Sequence, residues 1–221
     1  GVLGANALRQ AAGWLVVYSV GTLLVAVGLF SEAGYAAATY YAAHSTLVAA
    51  AIFLTADLVA SHRGAAVDRL DVQAAMPRAA RLGAMFMVVA VALAGLPPLS
   101  SFAGKVLVLG ASAAAGRAAL VWPVLLMSTL VVIVALARAG SRLFWNVPPA
   151  ADGGATTPHV RATAWLAPAA LLACIVALVG FGGPALGFAA ATARQLAQPA
   201  DYVDAVLGPD PAAPETRRRL P

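Results

Sequence analysis

The feature that most restricts the fold is a series of long apolar runs separated by short polar segments. The runs cover residues 13–30, 35–59, 82–116, 119–137 and 163–183. A bilayer needs about 20 apolar residues per helical crossing, and each crossing segment must satisfy its backbone hydrogen bonds internally. With only 10% charged residues, the chain cannot cover the surface of a water-soluble globule, which excludes a soluble enzyme. We therefore predict an all-α, polytopic transmembrane helical bundle of about five to six membrane segments.

One apolar run, residues 82–116, is interrupted by the sequence Gly95-Leu96-Pro97-Pro98. Proline removes a backbone donor, so this stretch predicts a break in the helix. A continuous helix over the whole run would be about 52 Å long, which is too long for one straight crossing and short for two. One interrupted span and two short spans both fit the run, so the number of crossings stays open.

The polar segments suggest how the chain is organised around these spans. Residues 60–81 and 146–161 have the composition of loops, and the C-terminal end is rich in Pro, Asp and Arg. We expect a transmembrane domain over residues 1–187 and a C-terminal extramembrane segment over residues 188–221. The chain begins without methionine and without the layout of a signal peptide, so we expect a fragment of a longer protein.

The only lysine, Lys105, lies inside an apolar stretch, whereas the thirteen arginines stand mostly at the ends of segments. An ionisable group at membrane depth costs at least about 2.5 kcal/mol and therefore indicates function. A lysine can release and regain a proton in such a place, while an arginine stays protonated. Lys105 follows the Pro-Pro break by seven residues, where water can reach it. The alternative is a lysine whose amine extends to the membrane interface.

His44 lies in the middle of its apolar run, and imidazole can relay protons near neutral pH. The alternative is a structural histidine hydrogen-bonded between helices. Asp57 lies near the end of the same run, and we predict an interfacial ion pair with Arg63; the alternative is a ligand for a coupling ion. Cys174 is predicted to be a small buried side chain. Glu32, His62, His159 and the remaining arginines are predicted to be solvated loop residues or anchors.

Other kinds of site find no support in the sequence. The chain shows no nucleophile–base–acid set, no phosphate-binding loop after a strand and no metal-ligand spacing, so we predict no cofactor and no metal. The net charge of +5 comes from arginines scattered at segment ends, which is typical of residues that flank membrane spans. We therefore predict a lipid bilayer as partner, and no nucleic acid.

The segment GLPPLSSFAGK, residues 95–105, resembles the G-L-P-P-L-S-G-F-x-x-K signature of the antiporter-like membrane subunits. These subunits occur in proton-pumping NADH:quinone oxidoreductases and in Mrp (Pha) monovalent cation/proton antiporters. Residues 40–59 resemble the histidine-bearing helix of that family, and residues 9–24 resemble the helix two spans before the signature. The patterns at 137–145 and 198–208 are most similar to the branch of the family that forms the D-type subunits of Mrp antiporters.

The resemblance implies a secondary transporter subunit without covalent chemistry. It would consist of the second of two inverted repeats plus the final helix, and it would work with other subunits of a hetero-oligomeric antiporter in a bacterial inner membrane. Protons would move against Na⁺ or K⁺. Lys105 would bind the proton and His44 would relay it; the hydrated break would be formed by Gly95, Pro97, Pro98, Ser100 and Ser101.

Two other functions stay open at this point. The first is a proton-pumping membrane subunit of a respiratory NADH:quinone oxidoreductase-like complex, since that class carries the same signature. The second is a membrane scaffold subunit without a transport path. A scaffold predicts that Lys105 and His44 face lipid or pack without polar contacts between them.

Overall fold

The computed structural model describes residues 1–71, 76–145, 162–198 and 200–208. In these ranges the chain forms eight α-helices. A single turn of π-helix, Ser141–Trp145, extends the fifth of them. The helices are α1 (Leu8–Val27), α2 (Glu32–Arg63), α3 (Ala79–Ala94), α4 (Ser100–Ala114), α5 (Ala118–Gly140), α6 (Leu166–Gly180), α7 (Gly182–Ala197) and α8 (Ala200–Leu207).

In the part of the chain that the structure describes, four helical segments are long and apolar enough to cross a membrane: Leu8–Val27, Glu32–Arg63, Ala118–Trp145 and Thr163–Gly180. Two shorter apolar helices, α3 and α4, lie on either side of the Pro-Pro sequence. The prediction of an all-α, polytopic transmembrane bundle with an interrupted helix is confirmed. The predicted loop 146–161, which includes His159, lies outside the described residues. The tail from residue 209 also lies outside them.

The long helix α2 is the centre of the bundle. It packs against α1, α3, α4, α6 and α7 along its 32 residues, about 48 Å of helix. Its buried face is rich in alanine, and small residues let neighbouring helices approach closely within a membrane. This face includes the fully buried Ala37, Ala51 and Ala56. One central helix thereby holds elements that are far apart in the sequence in fixed positions.

The ends of α2 differ from the predicted span of 35–59. Ser31 caps the helix by accepting a hydrogen bond from the Gly34 N–H at 3.1 Å, so α2 begins three residues earlier than predicted. At the other end, α2 continues to Arg63, into the predicted loop 60–81. Apolar composition therefore located the span but not its polar terminal turns.

The predicted boundary between residues 187 and 188 falls inside α7, which runs from Gly182 to Ala197 without interruption. Ala189 and Ala193 of α7 are buried, and α7 packs along α2. Cys174 is exposed rather than buried as predicted, because it lies on the outer surface of α6 beside the inward-facing Ile175. In a bilayer this outer surface faces lipid or another subunit, which accommodates a small apolar side chain equally well.

Candidate functional site

The helix break places Lys105 in the interior of the bundle. α3 ends at Ala94, Gly95 adopts a left-handed conformation with φ 77°, and α4 starts at Ser100. Within a helix, the carbonyl of Ala94 would accept a bond from the N–H of residue 98, but Pro98 has none. The Lys105 amine takes this role and donates to the Ala94 carbonyl oxygen at 2.7 Å. The break and the lysine thus form one structural unit.

The Lys105 amine has a second partner on another helix. Nζ donates to Thr129 Oγ1 of α5 at 3.2 Å, and Thr129 Oγ1 is in turn 2.8 Å from the Tyr18 hydroxyl of α1. The Tyr18 ring centroid is 5.3 Å from Nζ, within the range of a cation–π contact. Lys105 is almost completely buried. It is therefore held by polar groups from α1, α3 and α5 and does not extend to the interface.

Gly95 provides the space that the lysine occupies. A Cβ atom at residue 95 would lie 2.5 Å from Lys105 Nζ and 2.7 Å from its Cδ. A Cβ atom essentially never lies this close to a non-bonded atom, so any larger residue would displace the end of the lysine side chain. Gly95 is required here both for its positive φ and for the close approach of Lys105.

His44 lies on α2, opposite the first turn of α4. Its Nδ1 is 2.7 Å from Ser100 Oγ, and both side chains are buried. One turn further along α4, a Cβ at Gly104 would be 2.8 Å from the Tyr41 ring, so α2 and α4 are in close contact. Ser100 and Gly104 therefore form the face of α4 that packs on α2, and His44 contacts this face.

Ser101 belongs to a second face of α4, one position around the helix. Residues four apart share a helix face, so Ser101 lies one turn before Lys105 on the same side. The Ser101 hydroxyl is buried, and no described residue forms a hydrogen bond with it. Buried hydroxyls normally have a partner, and ordered water commonly fills that role. α4 thus presents a His44-contacting face and a Lys105 face on one rigid element.

The donor geometry suits a lysine that changes protonation state. A charged ammonium has three N–H donors and a neutral amine has two. The two acceptors, Ala94 O and Thr129 Oγ1, remain satisfied when the amine loses its third proton. The arrangement can therefore hold Nζ in place while the proton leaves and returns.

The predicted ion pair between Asp57 and Arg63 is wrong. Asp57 pairs with Arg9 of α1 at 2.6 Å instead. Residues six apart on a helix lie about 9 Å apart along the axis and point in different directions, so the predicted pair could not form within α2. The Arg63 guanidinium donates to the backbone carbonyls of Arg69 and Asp71.

His62 also differs from the prediction of a solvated loop residue. It is buried at the end of α2, where Nδ1 contacts the Leu58 carbonyl oxygen at 2.8 Å. Its ring packs edge-on against Trp165, with 5.6 Å between ring centroids. The extension of α2 into the predicted loop explains the difference, because it places His62 beneath the segment that leads into α6.

Two residues of the site, Tyr18 and Thr129, were missed by sequence reasoning. Both are polar residues inside predicted apolar spans, and Thr129 follows Ser128 in an otherwise apolar helix. A hydroxyl in such a run is a weak signal, because it can also bond to its own helix backbone. Only the packing of α1 and α5 around α4 distinguishes these two hydroxyls from the others. Among the described residues, no group of three or more His, Cys, Asp or Glu side chains could hold a metal ion.

Comparison with known proteins gives consistent matches. A family model described as NADH:quinone oxidoreductase/Mrp antiporter, TM, matches residues 14–133. A protein of Rhizobium meliloti (strain 1021), named as the D-type subunit of a probable K(+)/H(+) antiporter, is 34% identical over 94% of this chain and 43% of its own length. The D-type subunit of a Na(+)/H(+) antiporter of Bacillus subtilis (strain 168) is 30% identical over 87% of this chain and 38% of its own length.

A solved structure has the same fold. A chain of the Mrp complex from Dietzia sp. DQ12-45-1b superimposes with a TM-score of 0.78 at 24% identity. The superposition covers 94% of this chain and 46% of that chain. The chain thus spans less than half the length of the relatives it matches.

Proposed function

The chain belongs to the NADH:quinone oxidoreductase/Mrp antiporter transmembrane family, and we propose that it is the proton-translocating part of a D-type subunit of a Mrp antiporter. The whole subunit would exchange protons for Na⁺ or K⁺ across a bacterial inner membrane. It would do so together with other subunits of a hetero-oligomeric complex. The names of the two relatives, both D-type subunits of a monovalent cation/proton antiporter, support this proposal.

One observation carries the proposal: the single lysine of the chain is buried at a helix break, between a freed carbonyl and an interhelical hydroxyl. A buried ionisable side chain in a membrane protein is costly and indicates an ion or proton path. In our proposal, Lys105 Nζ binds and releases the transported proton. The helix break at Gly95, Pro97 and Pro98 would supply the space and the free carbonyl that keep the amine in place during this exchange.

His44 would exchange protons with Lys105 along α4. Its Nδ1 contacts Ser100 Oγ, and Ser101 lies between this contact and Lys105 on the surface of α4. We assign Ser100 the role of orienting the imidazole. We assign Ser101 the role of binding a water molecule, because its hydroxyl is buried without a partner among the described residues. Thr129 and Tyr18 would fix the position of Nζ.

The test is cation/proton exchange by the full complex in sealed vesicles, followed with a pH-sensitive dye after addition of Na⁺ or K⁺. We expect Lys105→Ala to abolish exchange. Lys105→Arg should also abolish it, because arginine keeps the charge but cannot release the proton. Arg117→Ala is the control, since Arg117 is an exposed cation at the other end of α4. Exchange that survives both Lys105 variants in an assembled complex would refute the proton role and favour a scaffold subunit.

The respiratory function is the second candidate, because the matching family model covers both kinds of complex. The two functions predict different requirements. An antiporter needs only the two ion gradients, whereas a respiratory subunit needs a redox reaction to move protons. Exchange by the purified complex without NADH or quinone supports the antiporter, and proton movement that depends on quinone reduction supports the respiratory complex.

A further inference from the structure

A cavity of about 360 Å³ lies between the second half of α1 and the first half of α5. Its wall extends along α1 from Tyr18 to Val25 and along α5 from Leu120 to Ser128. These stretches are about 10 and 12 Å long, compared with about 15 Å from the centre of a bilayer to the edge of its hydrocarbon core. The cavity therefore spans most of the depth from the middle of α1 and α5 to the end of the bundle where α1 ends and α5 begins.

The inner end of this cavity adjoins the hydrogen bonds of Lys105. Tyr18 forms part of the cavity wall, and its hydroxyl is 2.8 Å from Thr129 Oγ1. Thr129 Oγ1 also accepts the bond from Lys105 Nζ at 3.2 Å. Either hydroxyl can donate to the other. When Thr129 donates to Tyr18, the donors form one series that starts at Nζ and ends at the Tyr18 O–H beside the cavity.

The cavity wall also offers acceptors for water. Ser128 Oγ donates to the Leu125 carbonyl at 3.0 Å, and Thr22 Oγ1 donates to the Tyr18 carbonyl at 3.2 Å. Each of these hydroxyls has thereby used its single donor and keeps lone pairs that can accept. Water in the inner part of the cavity can accept from Tyr18 and donate to Ser128 and Thr22, and a site with several polar partners of this kind retains water.

We propose that Tyr18 passes protons between Lys105 and this cavity, which connects the lysine to one surface of the membrane. The inference rests on the proposed function, since it requires that Lys105 carries the transported proton. In the outward step, Nζ gives a proton to Thr129 Oγ1, Thr129 gives its own hydroxyl proton to Tyr18, and Tyr18 gives its own to a water molecule in the cavity. One N–H and two O–H bonds break and three O–H bonds form, which leaves a neutral lysine, two neutral hydroxyls and a protonated water molecule.

This route gives Lys105 a connection that is separate from His44. Ser101 and His44 belong to the contact between α4 and α2, whereas Thr129 and Tyr18 belong to α5 and α1. A residue that carries protons through a membrane needs one connection for arrival and another for departure. The series Lys105, Thr129 and Tyr18 supplies the second connection.

The test uses variants that close the cavity without changing a hydrogen bond of Lys105. Gly21 lines the cavity, and a Cβ there would meet nothing within 4 Å. Gly21→Phe should fill the cavity and slow cation/proton exchange by the full complex in sealed vesicles about 100-fold, as expected when a positioned proton donor is disconnected. Gly13→Phe is the matched control, because Gly13 lies on the same helix with equal space around it but is not part of the cavity wall.

Tyr18→Phe should slow exchange by a similar factor. This variant also removes a bond that holds Thr129, so Gly21→Phe is the variant that separates proton transfer from positioning. A role of Tyr18 in positioning alone predicts normal exchange in Gly21→Phe.

Water in the cavity is measured independently of exchange. Ser128→Cys in a Cys174→Ala background should react with a small water-soluble thiol reagent, because the reactive thiolate forms where water reaches the sulfur. Adding Gly21→Phe should suppress this reaction.

Normal exchange in Gly21→Phe, an equal loss in Gly13→Phe, or an unreactive Ser128→Cys would overturn the route and leave the proton role of Lys105 intact. Exchange that survives Lys105→Ala while Ser128→Cys still reacts would overturn the proposed function, and the relay with it. A complex that fails to assemble with Gly21→Phe but assembles with Gly13→Phe would show that another chain fills the cavity, and would overturn the route.

Discussion

The substitution Gly95→Ala tests whether the helix break exists to position Lys105. Alanine places a Cβ 2.5 Å from Nζ, whereas ordinary contact begins at 3.4 Å. The amine must therefore move by about 0.9 Å, and a movement directed away from the Ala94 carbonyl lengthens their 2.7 Å bond to about 3.6 Å. At that distance the interaction is no longer a hydrogen bond.

The expected loss is functional more than structural. The obstructed atoms form the end of a flexible side chain, which can swing aside at little steric cost. The positive φ of 77° adds about 1–2 kcal/mol of backbone strain to alanine. A misplacement of about 1 Å in a group that transfers protons can reduce a rate by as much as 100-fold. We expect ion exchange in sealed vesicles to fall by about 10- to 100-fold.

The chain offers a matched control for this substitution. Gly116 also has a positive φ, 67°, but a Cβ there would meet nothing within 4 Å. Gly116→Ala should therefore carry the same backbone strain without displacing Lys105. We expect the two variants to unfold at similar denaturant concentrations and to differ in exchange. If both lose exchange equally, or if neither does, the reasoning that Gly95 makes room for the lysine is refuted.

Two further substitutions test the partners that hold the site together. Thr129→Val removes the hydroxyl bonded to Lys105 while keeping the shape of the side chain. It should slow exchange by about tenfold, because a lost bond to a charged donor costs about 1.5 kcal/mol or more. Thr39→Val is the control and should leave exchange unchanged, because the Thr39 hydroxyl bonds to the Tyr35 carbonyl of its own helix, α2. Ser100→Ala leaves Nδ1 of His44 buried without this partner and should destabilise the protein by about 1–3 kcal/mol, measured by denaturant unfolding in detergent. An unfolding midpoint equal to that of the wild type would contradict the role of the bond.

Sequence reasoning located the residues of the site that differ in kind from their surroundings. A lone lysine, a mid-span histidine and a Pro-Pro pair are conspicuous in apolar runs, because each is costly there unless the fold uses it. The all-α architecture followed from the length and composition of the same runs. These inferences rest on local properties of the chain, so they need no knowledge of which helices are neighbours.

The partner of Asp57 and the roles of Tyr18 and Thr129 depend on which helices pack against one another. Asp57 was assigned to Arg63 because the two are close in sequence, but a helix turns them apart and brings Arg9 of another helix within 2.6 Å. Tyr18 and Thr129 are ordinary hydroxyl residues until α1 and α5 pack on either side of Lys105. Their role follows from tertiary packing, for which a single sequence contains no direct signal.

The reason for a lysine at position 105, in a chain that otherwise uses arginine, lies in the number of acceptors around it. An arginine has five donors in a rigid plane and never loses its charge. The site provides two acceptors, the carbonyl freed by Pro98 and the Thr129 hydroxyl, which suffice for a neutral amine. An arginine here would leave donors unsatisfied in the interior of a membrane protein, at a cost of about 1–3 kcal/mol for each. The proline that breaks the helix and the lysine that completes its hydrogen bonding are therefore coupled, and a substitution of either changes the environment of the other.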